Sequence, residues 1–217
     1  RKLRNTLRYL LGAVAGFDAA EALEVGQDTP LLERWLHHRL AELDGVVRQA
    51  YGTYQFRHAL TALVEFCNVD LSAFYVDVRK DALYCDGPAS LRRRACRTAL
   101  DAVFDRLVSW LAPLMPFTTD EAWRTRFPEA GSVHLRTFPD TPAAWHDPGV
   151  ALAMDKLRGV RAVVTGALEI ERREKRIGSS LEAAPQIWCQ DATIAEDLRA
   201  HSFEELCITS AVDIRIG

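Results

Sequence analysis

Between Tyr54 and Tyr84 the chain runs without a proline or a glycine: YQFRHALTALVEFCNVDLSAFYVDVRKDALY. A stretch this long without either breaker predicts one long helix. Phe56, Leu60, Leu63, Cys67, Leu71, Phe74 and Val78 recur at three- and four-residue steps, so they share a face. An apolar stripe of that length needs other helices to cover it, which points to a bundle. The far end turns polar and aromatic, with Asp77, Arg79, Lys80, Asp81 and Tyr84. There the bundle can meet something charged.

The flanking sequence supplies the other helices. Arg1 to Phe17 carries Leu3, Leu7, Leu10, Leu11 and Val14 on one side and Arg1, Arg4 and Arg8 on another, with Asn5 between them. Thr29-Pro30 reads as a cap followed by proline at the first helical position, opening a helix to about Tyr51. A fourth helix spans roughly Ser90 to Leu111, and Thr118-Thr119-Asp120-Glu121 reads as a capping box for a short fifth one. Prolines 128, 139, 142 and 148 mark a connection wrapping the bundle, in which SVHLRTFP is read as extended. A long helix then runs to about Arg176, with Gly178 as its carboxyl cap. QIWCQ and ELCITSAVDIRI read as strands around a short helix from Ala195 to Ala200. The expected fold is mainly α: a bundle of about five helices over residues 1–147, then a long helix and a small, incomplete α+β appendage over 148–217. The first residue, Arg1, already lies in a helical pattern without a cap, so the chain reads as a piece of a longer protein.

Composition narrows the function. The formal charge of −3 argues against a general nucleic-acid binder but leaves room for a local basic face. No apolar run is read as long enough to cross a bilayer, and no signal-peptide pattern opens the chain. Five scattered cysteines form no CxxC pair and read as reduced thiols. His37 and His38 are adjacent and face apart, and the other histidines are isolated. Phosphate-binding loops, a nucleophile elbow and an ExxH metal motif are all absent. The pattern favours a binding module over a catalyst. Three basic groups remain: Arg4, Asn5 and Arg8; Arg79, Lys80 and Tyr84; and Arg92, Arg93, Arg94 and Arg97. Such side chains neutralise phosphates, bond base edges and stack on unpaired bases. On charge pattern alone, a solvated helix face with pairs such as Asp77–Lys80 remains the simpler alternative.

Longer motifs carry a resemblance. LERWLHHRLAEL, FCNVDLSAFYVDVRKDALY, RRRACRTALDAVFDRLVSWLAPLMPFTTDEAWRTRF and EKRIGSSLEA together resemble the anticodon-binding helical domain of class I aminoacyl-tRNA synthetases, the isoleucyl family in particular. The likeness covers Arg1 to about Ala211. It implies a cytoplasmic, monomeric ligase whose anticodon module binds isoleucine tRNA, with ATP and magnesium used by a catalytic region in cis. No cofactor is expected in this stretch, and zinc only in a module that does not occur here. The same resemblance implies tRNA contacts at Arg4, Asn5, Arg8, Arg79, Lys80 and Tyr84, with Arg92 and Arg93 as phosphate contacts or plain surface. Two alternatives stay open: the same module from a valyl or other class I enzyme, and a helical protein-interaction scaffold without an RNA role.

Overall fold

The computed structural model describes residues 1–217. They form two compact units, Arg1–Asp147 and Pro148–Gly217. In the first, α1 (Lys2–Ala13), α2 (Leu31–Gly52), α6 (Leu91–Leu111) and α7 (Pro116–Arg126) pack with a central rod. That rod is α3 (Phe56–Glu65), a π-helical stretch (Phe66–Tyr75), α4 (Val76–Val78) and α5 (Lys80–Tyr84). Counted as rods, these are the five helices that the sequence pattern predicts.

The central rod is interrupted where one continuous helix was expected. Tyr54 takes a left-handed conformation, with φ 58°, outside the helix. Phe56 is 42 % exposed and packs at a tilt on Tyr51 and edge-on with Tyr54, so it leaves the predicted stripe. Ala59, Leu63, Phe66, Cys67, Leu71, Phe74, Tyr75 and Val78 form the buried side. The ten-residue π stretch widens the turn, and Arg79 breaks the helix at φ −91°, ψ 7°. By length and composition, Phe56–Val78 is apolar enough to cross a membrane, which corrects the expectation that no such run exists. Its buried face instead packs within the bundle, and its buried Asp70 accepts from Arg39 of α2 at 3.1 Å.

The most enclosed element is α6. From Ala99 to Leu111 every residue except the half-buried Asp101 and Asp105 is buried. Its amino-terminal half is polar because it holds other segments in place. Thr98 Oγ1 accepts from the Leu23 amide at 3.1 Å, and Arg94 donates to the Glu21 carbonyl at 3.1 Å. Arg97 is buried: it donates to the Ala15 carbonyl at 2.9 Å and lies 2.8 Å from the Glu21 carboxylate, off-axis for a hydrogen bond. These contacts close the 14–26 loop and take Arg97 out of the predicted basic surface. Arg97→Ala is expected to destabilise the first unit by about 1–3 kcal/mol, read as a lower urea midpoint at unchanged slope.

Local capping departs from the sequence reading in two places. The Thr29 hydroxyl accepts from the Gly26 amide at 3.0 Å instead of capping α2. Thr119 lies inside α7, which starts at Pro116, and Asp120 accepts from Ser132 at 2.6 Å and from the Val133 amide at 3.0 Å. The connection after α7 forms two 3₁₀ turns, Val133–Leu135 and Ala143–Trp145, in place of the expected extended run. It is tied down by Arg48 to the Pro139 carbonyl (2.7 Å), Arg106 to the Asp140 carbonyl (2.9 Å) and Arg136 to Asp105 (2.7 Å).

The second unit carries α8 (Pro148–Arg173), β1 (Gln186–Cys189), α9 (Ala192–Ala200), α10 (Phe203–Cys207) and β2 (Asp213–Ile216). The strands pair in parallel, from Gln186 opposite Asp213 to Cys189 opposite Ile216. Parallel pairing requires a crossover, which α9 and α10 supply. Residues of ELC are therefore helical, not strand. α8 ends before the predicted Arg176: Lys175 takes the left-handed position at φ 59°, and the Gly178 amide donates to Glu182 at 3.0 Å.

Candidate nucleic-acid interface

Lys2, Asn5, Thr6 and Tyr9 fall within two turns and share one broad side of α1. Asn68, Leu71, Ser72 and Val76 line the facing side of the central rod, and a cleft of about 310 Å³ lies between the two sets. The lining is more apolar than polar, with amide, hydroxyl and phenol groups and one ammonium set into it. Asn5 and Asn68 each offer both donors and acceptors, which is what reading a base edge requires. Lys2 offers a point charge for a phosphate.

Neighbours in sequence separate here. Consecutive helical residues point about 100° apart, a consequence of 3.6 residues per turn. Asn5 therefore faces the rod, whereas Arg4 faces α7. There Arg4 and Arg8 line a smaller cleft of about 150 Å³ with Thr118, Glu121 and Thr125. Arg4 pairs with Glu121 at 2.9 Å, both side chains being more than half exposed. An exposed pair of this kind contributes little and is readily exchanged for another anion.

The second predicted group also divides. Lys80 is exposed, and its ion pair with Asp77, at 2.5 Å, pushes its pKa up. Tyr84 is 67 % exposed and stands near the Tyr9 phenol of α1. Burial first, and then the neighbouring Tyr84 phenol, raise the Tyr9 phenol well above its usual range. Arg79 is the correction: it is buried and forked onto Glu33 of α2, so it presents nothing to solvent. Sequence alone places Arg79 beside Lys80 on a basic end; the break at Arg79 turns the two side chains apart.

Arg92 and Arg93 serve the turn before α6. Arg92 donates to both oxygens of Asp86, at 2.9 and 2.7 Å, and holds that carboxyl below its usual range. Arg93 Nε donates to the Leu83 carbonyl at 3.3 Å, and its amide meets the Ser90 cap. Asp86 thereby offsets the positive charge crowded at a helix amino terminus. No three His, Cys, Asp or Glu side chains gather as a metal-ligand set.

A family profile described as the anticodon-binding domain of tRNA ligase matches residues 33–187. The chain belongs to that family. The profile begins inside α2, so α1 of this anticodon-binding domain lies outside the match. Full-length comparisons include it. An isoleucine–tRNA ligase of Agrobacterium fabrum is 53 % identical over 214 residues, which is 99 % of this chain and 22 % of the relative. One from Caulobacter vibrioides is 58 % identical over 206 residues, 95 % of this chain and 21 % of the relative. A Brucella abortus isoleucine–tRNA ligase is 51 % identical over 214 residues, again 99 % and 22 %. The anticodon-binding domain thus spans about a fifth of the length of these curated relatives.

Of the residues that line this cleft, the sequence reading singles out Asn5 and not Lys2, Thr6, Tyr9, Asn68 or Ser72; Lys80 and Tyr84 are not in the lining. A signal for Asn68 and Ser72 was present. They are the polar positions at four-residue spacing opposite the apolar stripe, and Val76 and Lys80 continue the row.

Proposed function

We propose that this chain is the part of an isoleucine–tRNA ligase that holds the anticodon arm of isoleucine tRNA. Lys2, Asn5, Asn68 and Ser72 would take splayed anticodon-loop nucleotides in the cleft. Lys80 and Tyr84 would act beside it, and Arg4 and Arg8 would contact phosphates across the α1–α7 cleft. Arg92 and Arg93 remain secondary phosphate contacts, since each already has a structural partner. The observation that carries this reading is the juxtaposition of Asn5 and Asn68 across one cleft, in a chain more than half identical to isoleucine–tRNA ligases over nearly all its length. Catalysis, with its ATP and magnesium, would belong to the remainder of the enzyme in cis. The domain would supply binding energy that favours productive complexes. It would act as a monomer in the cytoplasm.

The test is equilibrium binding of the chain to isoleucine tRNA, and to the same tRNA with a changed anticodon, across a salt series. Tighter binding to the native anticodon is expected, with affinity falling steeply as salt rises. Asn5→Ala is expected to cost about 1–3 kcal/mol on the native anticodon and less on the altered one. No binding at low salt by the folded chain would sink the proposal and favour a protein-interaction role.

A further inference from the structure

We propose that Glu33 and Arg79 form a positioning clamp that fixes the tyrosine-bearing end of the central rod against the α1 cleft. The role assigned to the clamp rests on the reading of that cleft as an RNA-contacting surface; its geometry does not. Arg79 stands where the rod stops being helical, between α4 and α5. Its guanidinium reaches back to α2, with Nε donating to Glu33 Oε1 at 2.6 Å and Nη2 to Oε2 at 2.8 Å. Tyr75, one turn earlier, donates its hydroxyl to the same Oε1 at 2.9 Å. One carboxylate therefore holds both the last turn before the break and the break itself.

Glu33 is fully buried and Arg79 is 5 % exposed, so neither can touch a ligand arriving from solvent. Beyond the break, α5 has five residues and buries only Ala82 and Leu83. Apart from that footing and the Arg93 hydrogen bond to the Leu83 carbonyl near its far end, the direction of α5 depends on what holds Arg79, the residue before it. That direction decides where Lys80 sits and whether Tyr84 meets Tyr9 beside the cleft. Two well-packed apolar side chains would stabilise the site as well as this ion pair does, because burying both charges costs most of what their attraction returns. What hydrocarbon lacks is direction: a guanidinium fork fixes angle as well as distance. Two buried charges at a helix break are accounted for by positioning.

The test pairs Glu33→Leu with Arg79→Leu in the same chain and adds Tyr75→Phe as a milder variant. Thermal melting and binding to the anticodon stem-loop of isoleucine tRNA are measured across a salt series. The clamp predicts that the paired variant melts near the parent temperature yet binds about tenfold more weakly, a loss equal to about 1.4 kcal/mol. It also predicts an unchanged slope of log affinity against log salt, because no phosphate contact is removed. A slope reduced by about one would make Arg79 a direct phosphate contact and overturn the positioning role. Unchanged affinity at parent stability overturns it as well. If the paired variant fails to fold, Tyr75→Phe decides: weaker binding at an unchanged melting temperature supports the clamp, and unaltered binding overturns it. Absence of binding by the parent chain would instead overturn the proposed function and the clamp's role with it.

Discussion

Replacing Arg79 alone by alanine is expected to lower the stability of the first unit by about 3–5 kcal/mol at neutral pH, the range for breaking one side of a buried pair. The cause is what remains behind. Glu33 is fully buried, and both of its oxygens accept from Arg79. With the guanidinium gone, only the Tyr75 hydroxyl still faces that carboxylate among these contacts. An uncompensated charge in a dry interior costs far more than the intact pair contributes. Glu33→Ala should cost a similar amount by stranding the guanidinium, whereas the paired leucine variant should stay near the parent. The two single losses are therefore strongly non-additive, and urea unfolding of the cycle measures the coupling. A loss below about 1 kcal/mol for Arg79→Ala would place the pair in the class of solvent-screened surface contacts.

Acidification from pH 6.5 to pH 4 is expected to remove about 3 kcal/mol of stability through His37 alone. Burial pushes this imidazole down to about 4; its hydrogen bond to the Glu33 carbonyl opposes the shift, and the Arg106 charge adds to it. Nδ1 donates to that carbonyl at 2.8 Å, while Nε2 is buried without a partner. A proton on Nε2 would therefore find no acceptor. Above pH 6.5 the ring is neutral in both folded and unfolded chains. Between 6.5 and 4 the unfolded chain binds a proton that the folded chain refuses, so stability falls as pH falls. Below about 4 both are protonated and this dependence ends. Denaturation midpoints across that window, for the parent and for His37→Gln, isolate the contribution. The variant should be less stable at neutral pH and show a flatter acid limb. Parallel curves would show that the carboxylates, not His37, govern acid unfolding.

The bundle was legible because its evidence is periodic. Leu3, Leu7 and Leu10 on α1, and Leu36, Leu40, Leu43 and Val47 on α2, repeat at helical spacing, and all are buried. Boundaries were less legible where a side chain chose a distant partner over its neighbour. Thr29 and Asp120 have the residue type and the place for a local cap, yet they bond to a preceding turn and to the segment after α7. The dominant burial of α6 was hidden because its polar first turns, RRRACRT, serve loops that lie far away in sequence. Phe56 fits the apolar stripe by spacing, but it sits at the frayed entrance of the rod beside two tyrosines and stays exposed.

The amino-acid sequence by itself determined the class of fold, the order of the helices, the family and the basic ends on which binding is sought. Those follow from hydrophobic periodicity and from residue strings, which are local properties. Only the tertiary structure decided which charges are available. Arginines at 4, 79, 92 and 97 look alike in sequence, yet one pairs at the surface, one is forked onto a buried carboxylate, one closes a turn and one pins a loop. Only the tertiary structure, too, set Asn5 opposite Asn68 and turned Arg4 away. The physical reason is common to all of these. A charged or polar side chain takes its role from the partner that satisfies it, and in this bundle that partner lies off the side chain's own helix, whether in the adjoining turn, as for Arg92, or far along the chain, as for Arg4, Arg79 and Arg97.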